Sequence, residues 1–167
     1  MNTIRKSYTL FVLLLCMNAS PAMAGPFQQG SQNVSIVAGA GGAYGDDYII
    51  LGAGYGYYLI DGLELGIDAQ FWLNGDPSIT KLSPQIKYVF AQPKTVKPYV
   101  GAFYRRTYTD GFEDLDSIGY RAGLYFMGQG NFFFGAGVVY EDYQDCSETV
   151  FTDWSNTYPE ILFSFSM

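Results

Sequence analysis

Ten polar side chains in this sequence are candidates for chemistry: Glu64, Asp68, Gln70, Lys81, Gln85, Lys87, Arg105, Arg121, Glu141 and Glu160. Several stand alone between apolar neighbours, as in Leu63-Glu64-Leu65, Ile67-Asp68-Ala69 and Tyr120-Arg121-Ala122. Carboxylates could act as general acid and base. Interleaved with lysine and arginine, they could instead form an ion-pair network or an ion path. Catalysis is poorly supported, because the chain has no histidine to serve a Ser-His-acid arrangement. It also has no HExxH motif and no cluster of nitrogen and sulfur ligands for a metal, and no cofactor is implied. Buried charges must pair, since an unpaired one is very costly. Glu64 and Asp68 with Lys87 and Arg105 or Arg121 are therefore expected to form a plug of salt bridges. An ion path through the same residues is the alternative.

A second candidate set lies between the apolar stretches. Asp110, Glu113, Asp114 and Asp116 make an acidic loop, and Phe151 and Trp154 lie in the longest loop. Carboxylate oxygens suit divalent cations, and buried aromatics anchor interfaces. These six residues are the expected surface-interaction set. For the Asp114/Asp116 pair a solvated loop outweighs acid–base chemistry.

The elements that must position these residues follow from period-two alternation. From Tyr48 to Leu73, Ile49, Leu51, Ala53, Tyr55 and Tyr57 share one face, with Ile50 and glycines opposite. After an Asp61-Gly62 turn, Leu63, Leu65, Ile67, Ala69 and Phe71 face away from Glu64, Asp68 and Gln70. That is a hairpin with one continuous apolar face. The same pattern predicts strands over 33–43, 81–90, 97–108, 117–127, 132–143 and 158–167, which with the hairpin makes eight. Pro84 predicts a bulge or local irregularity, because it lacks a ladder donor. Apolar residues on one face and charges on the other describe a barrel with lipid outside and polar groups inside. The fold class predicted is all-β, an eight-stranded antiparallel up-and-down transmembrane β-barrel. Aromatics at both ends of the strands agree, since amphipathic rings favour the membrane interface.

Residues 1–24 read as a cleaved secretory signal peptide: Arg5 and Lys6, then the apolar TLFVLLLCM, then Ala22-Met23-Ala24. Residues 25–167 form the barrel domain, beginning with a polar leader, GPFQQGSQ. Loss of the signal peptide, with Arg5 and Lys6, takes the formal net charge from -7 to about -9, against nucleic acid as a partner. Only Cys146 then remains, so no intrachain disulfide forms. The longer, acidic connections belong outside the cell and the shorter turns in the periplasm.

The segments GAGYGYYLIDGLELGIDAQF (52–71), SPQIKYVF (83–90), KPYVGAFYRR (97–106) and ILFSFSM (161–167) resemble the small eight-stranded outer-membrane β-barrels of Gram-negative bacteria. That group includes the transmembrane domain of outer membrane protein A, outer membrane proteins X and W, and opacity-type barrels. Members typically end in Phe, read by the barrel-assembly machinery; this chain ends in Met167 after Phe163 and Phe165. The resemblance implies a non-enzymatic, monomeric protein of the outer membrane. Its expected partners are lipid, lipopolysaccharide through divalent cations, and the assembly machinery. A structural or adhesive surface role is expected, with a narrow porin-like channel as one alternative and a secreted soluble barrel binding an apolar ligand as another.

Overall fold

The structure, a computed structural model, describes residues 25–43, 45–90, 92, 95–144 and 155–167. The expected signal peptide lies outside the described residues. So do Cys146, Phe151 and Trp154. Eight antiparallel strands close in sequence order: β1 (Gln32–Ala43), β2 (Asp46–Ile60), β3 (Leu63–Leu73), β4 (Ile79–Val89), β5 (Val96–Thr109), β6 (Leu115–Met127), β7 (Phe132–Gln144) and β8 (Ser155–Ser166). The all-β, eight-stranded transmembrane-type barrel read from the alternation is the fold observed.

Several strands run past the limits of the alternating pattern, β8 by three residues at its start. In β8 the extra residues are Ser155, Asn156 and Thr157, polar and at the loop end. Ladder pairing satisfies backbone N–H and C=O groups whatever the side chain, so a strand outlasts its hydrophobic signature. At Pro84 there is no bulge. Pro84 pairs with Ile67 on β3, while the β5 ladder passes from Leu82–Arg106 to Gln85–Phe103 without a change of register. The missing donor interrupts pairing there and leaves the register intact. A register shift does occur between Tyr58 and Ile60, beside the Asp61-Gly62 turn, where Gly62 has φ +82°.

The outside is apolar. Ile36 is 56% exposed, Val138 52% and Ile67 46%, an arrangement that would be unstable in water and suits lipid. Inside, two apolar clusters flank a charged middle. Toward the turn end lie Val37, Tyr58, Val89, Tyr99, Tyr125, Phe133 and Leu162 with Phe27. Toward the loop end lie Tyr48, Ile50, Trp72, Ile79, Phe103, Val139 and Tyr158. Inward glycines make room for the inward rings across the ladder, as Phe103 opposite Gly119, Tyr99 opposite Gly123 and Tyr125 opposite Gly135. These glycines thus receive side chains from neighbouring strands.

The leader is not merely polar. Phe27 within it is buried at 1% exposure, stacked on Tyr125 and packed on Tyr58 and Phe133.

Candidate functional site

The charged middle is built by parity. Alternation on β3 aims Glu64, Asp68 and Gln70 inward; β4 contributes Lys81, Ser83 and Lys87, β5 Arg105, β6 Ser117 and Arg121, β7 Glu141, and β8 Tyr158 and Glu160. All of these are buried. Gln85 is inward but only half-buried. Among the described residues the buried charges are four carboxylates and four cations, Lys81 being the fourth cation. The interior is therefore neutral in sum.

Arg105 is the hub. Its Nη1 donates to Glu141 Oε2 at 2.9 Å and to the Tyr158 hydroxyl, and its Nε donates to Ser83 Oγ at 2.7 Å. Its Nη2 lies 3.9 Å from Asp68 Oδ1. Glu141 also accepts from Lys81 Nζ at 3.1 Å and from Ser117 Oγ at 2.6 Å. Arg121 joins Asp68 at 3.3 Å to Glu160 at 3.6 Å, and Tyr99 donates to Glu160 at 3.3 Å. Nearer the turn end, Lys87 pairs with Glu64 at 3.0 Å, and Asn33 Nδ2 donates to Glu64 at 3.2 Å. Gln70 donates to Asp68 at 3.2 Å.

Aromatic faces complete the setting. Lys81 Nζ sits 4.2 Å from the Trp72 ring centroid, and the guanidinium carbons of Arg105 and Arg121 lie 4.3 and 4.9 Å from that of Phe103. A cation held over a ring face is attracted by its quadrupole, more so when desolvated. The arrangement ties six strands together through charge. Every buried carboxylate faces a cation, which leaves none of them as a free base.

The hydroxyl partners Ser83, Tyr99, Ser117 and Tyr158 are additions to the sequence-derived set. Each stands at inward parity on its strand, the one mark by which the sequence could have shown them.

Of the loop candidates, the four carboxylates lie among the described residues, and Asp114 and Asp116 both lie near Arg106. Asp110, Glu113 and Asp114 lie in the exposed connection between β5 and β6, and Asp116 is within β6. Asp114 is held by Arg106 at 3.1 Å. On a neighbouring loop, Asp46 accepts from the Asp76 backbone N–H at 3.2 Å. Among the described residues no three His, Cys, Asp or Glu side chains come together to hold a metal ion.

No family model matches the sequence, and no curated protein matches it. Solved structures do. The N-terminal β-barrel domain of Pseudomonas aeruginosa OprF superposes with a TM-score of 0.67 at 20% identity, over 83% of this chain and 98% of that one. Neisserial surface protein A (NspA) gives 0.59 at 17%, over 81% and 95%. Ail, the attachment invasion locus protein of Yersinia pestis, gives 0.52 at 17%, over 84% and 100%. The chain has the fold of the small eight-stranded outer-membrane β-barrels.

Proposed function

We propose that this chain is an integral outer-membrane protein whose barrel is a closed scaffold, with a structural or adhesive role carried by its loops. The observation that carries the reading is the inversion of polarity. The outer face is a belt of exposed Ile, Leu, Val and aromatic side chains, and eight buried charges in balance fill the interior. An eight-stranded barrel is just wide enough for side chains to fill. Here cation and carboxylate meet across it, as between Lys81 on β4 and Glu141 on β7. A soluble barrel binding an apolar ligand would need the opposite arrangement. Residues 1–24, read as a secretory leader, fit export to the envelope. The acidic loops would meet lipopolysaccharide phosphates only through divalent cations.

Two measurements test this. Membrane fractionation should recover the protein in the outer membrane, with a gel shift between unboiled and boiled samples; periplasmic recovery without a shift overturns the proposal. Planar-bilayer recordings should show the wild type closed, and neutralising Arg105 and Arg121 together should raise conductance once Phe27→Ala has also cleared the turn end. An open wild-type channel would favour the porin-like alternative.

A further inference from the structure

The turn end of the barrel is closed by chain that belongs to no strand. Gly25–Ser31 folds back across the opening and puts Phe27 inside. Its ring centroid lies 4.6 Å from Phe133, 5.7 Å from Tyr125 and 5.8 Å from Tyr58. The apolar cluster it completes draws on seven of the eight strands. Phe27 holds φ +69°, a conformation that a bulky L residue adopts only where its surroundings enforce it.

The attachments are local. The Gly62 N–H donates to Phe27 O at 2.8 Å, and Gly30 N–H to Tyr58 O at 2.9 Å. Tyr58 N–H donates to Ser31 O at 3.0 Å, and Gln29 N–H to the Asp61 carboxylate at 2.8 Å. All of these bonds run to the end of β2 and the turn after it. The outer surface of the segment is polar, with Gln28 and Gln29 exposed. Gly30, at φ +85°, separates it from β1.

Polar groups line the barrel wall at this same end. Asn33 Oδ1, Ser164 Oγ and Ser166 Oγ are buried without a hydrogen-bond partner, and each residue is 1% exposed. Buried polar atoms of this kind call for water. The segment stands between them and bulk solvent.

We propose that Gly25–Gln29 is a hinged stopper. It seals the turn end of the barrel separately from the ionic network, and it undocks as a unit about Gly30 while β1 stays in the sheet. The barrel is then closed twice in series, by Phe27 at one end and by the Arg105–Glu141 hub further in. The inference goes beyond the membrane reading and is testable in detergent, where a folded barrel is verified independently by its gel shift.

The test is thiol accessibility in a Cys146→Ser background. Ser164→Cys reports the chamber behind the stopper, and Ser117→Cys reports the network itself, where Ser117 donates to Glu141. A small charged maleimide is applied to the folded protein, and labelling is read by mass spectrometry. Labelling through a fast opening tracks the open population. Phe27→Ala should therefore speed labelling at position 164 by at least about tenfold, the change that a shift of about 1.4 kcal/mol produces. Position 117 should stay protected, and Arg105→Met should leave position 164 unaffected. A second variant works in the other direction. Gln29→Cys with Asp61→Cys, oxidised, should hold the stopper shut and slow labelling at 164, with reductant reversing it. Equal rates at 164 with and without Phe27 overturn the proposal. A parallel rise at 117 overturns it too, because that shows general loosening of the barrel. If Phe27→Ala does not fold, the oxidised lock decides: no slowing means no hinged stopper.

Discussion

Arg105 on β5 and Glu141 on β7 meet at 2.9 Å with both side chains fully buried, 36 residues apart in the chain and separated by β6 in the barrel wall. The contact reaches past the neighbouring strand, so it depends on barrel closure and not on a hairpin. Breaking a buried pair by removing one partner typically costs about 3–5 kcal/mol, whereas replacing both partners with apolar groups of similar volume is often close to neutral. Arg105→Met alone and Glu141→Leu alone should each lower unfolding free energy in lipid vesicles by roughly that amount. The double variant should lose less than the sum of the two singles, since each removes the other's partner while Lys81 loses Glu141 in both chains that lack it. Trp72, close to Lys81 in the same network, gives the fluorescence readout. Additive losses would show that the two side chains act independently.

The outer face gives a prediction of a different kind. Ile67 on β3 points outward and is 46% exposed. Its ladder partner Tyr55 on β2 is exposed as well. Lysine on the lipid face of a β-barrel costs about 2–4 kcal/mol near the bilayer midplane and about 0–1 near the interface. Ile67→Lys should therefore reduce membrane assembly and the heat-dependent gel shift. Leu51→Asp should do the same. A folded, soluble product from either variant would count against a lipid-facing surface.

Inward glycines on β6 and β7 are spacers for rings. A Cβ added at Gly119 would overlap the Phe103 ring. Overpacking a filled interior costs typically about 1–3 kcal/mol. Gly119→Ala should destabilise the barrel by that order, and Phe103→Leu in the same chain should recover part of the loss. The double-mutant cycle measures the coupling. No recovery would mean that Gly119 serves backbone conformation and not space.

Much of this was legible because parity is a strictly local property. Glu64, Asp68, Arg105, Arg121 and Glu141 announce their common side by standing one residue from lipid-facing neighbours, and the strand count follows from the turns. Pairing is another matter. Lys81 finds Glu141 across 60 residues, which depends on the stagger of closure and not on any local pattern. Phe27 was missed for the opposite reason. GPFQQGSQ has turn-forming composition and no periodicity, and one aromatic among glutamines gives no sign that the chain doubles back into the barrel mouth. At Pro84 the expected irregularity takes the form of a gap in the β5 ladder and not of a bulge, because a missing donor adds no residue. A ladder can lose hydrogen bonds and keep its register.

The closing seam supplies the last prediction. β1 and β8 pair from Asn33–Ser166 to Gly39–Glu160 and no further, although both strands continue toward the loop end. Continuing the register would set Pro159 opposite Ala40, and proline has no N–H to donate. Beyond that point a side-chain-to-backbone bond links the two strands, Asn156 Nδ2 donating to Gly42 O at 3.4 Å. On their other sides both strands stay paired, β1 with β2 and β8 with β7. The seam should therefore be the place where the wall opens most easily, since local opening follows sparse hydrogen bonding. In amide hydrogen exchange, residues 41–43 and 156–158 should exchange faster than 34–37 and 162–165 on the same strands. Pro159→Val should restore a donor and slow exchange at the loop half of the seam. Equal protection along the whole of β1 in the wild type would show that the seam is held as firmly there as at the turn end, and that Pro159 has no bearing on how the barrel closes.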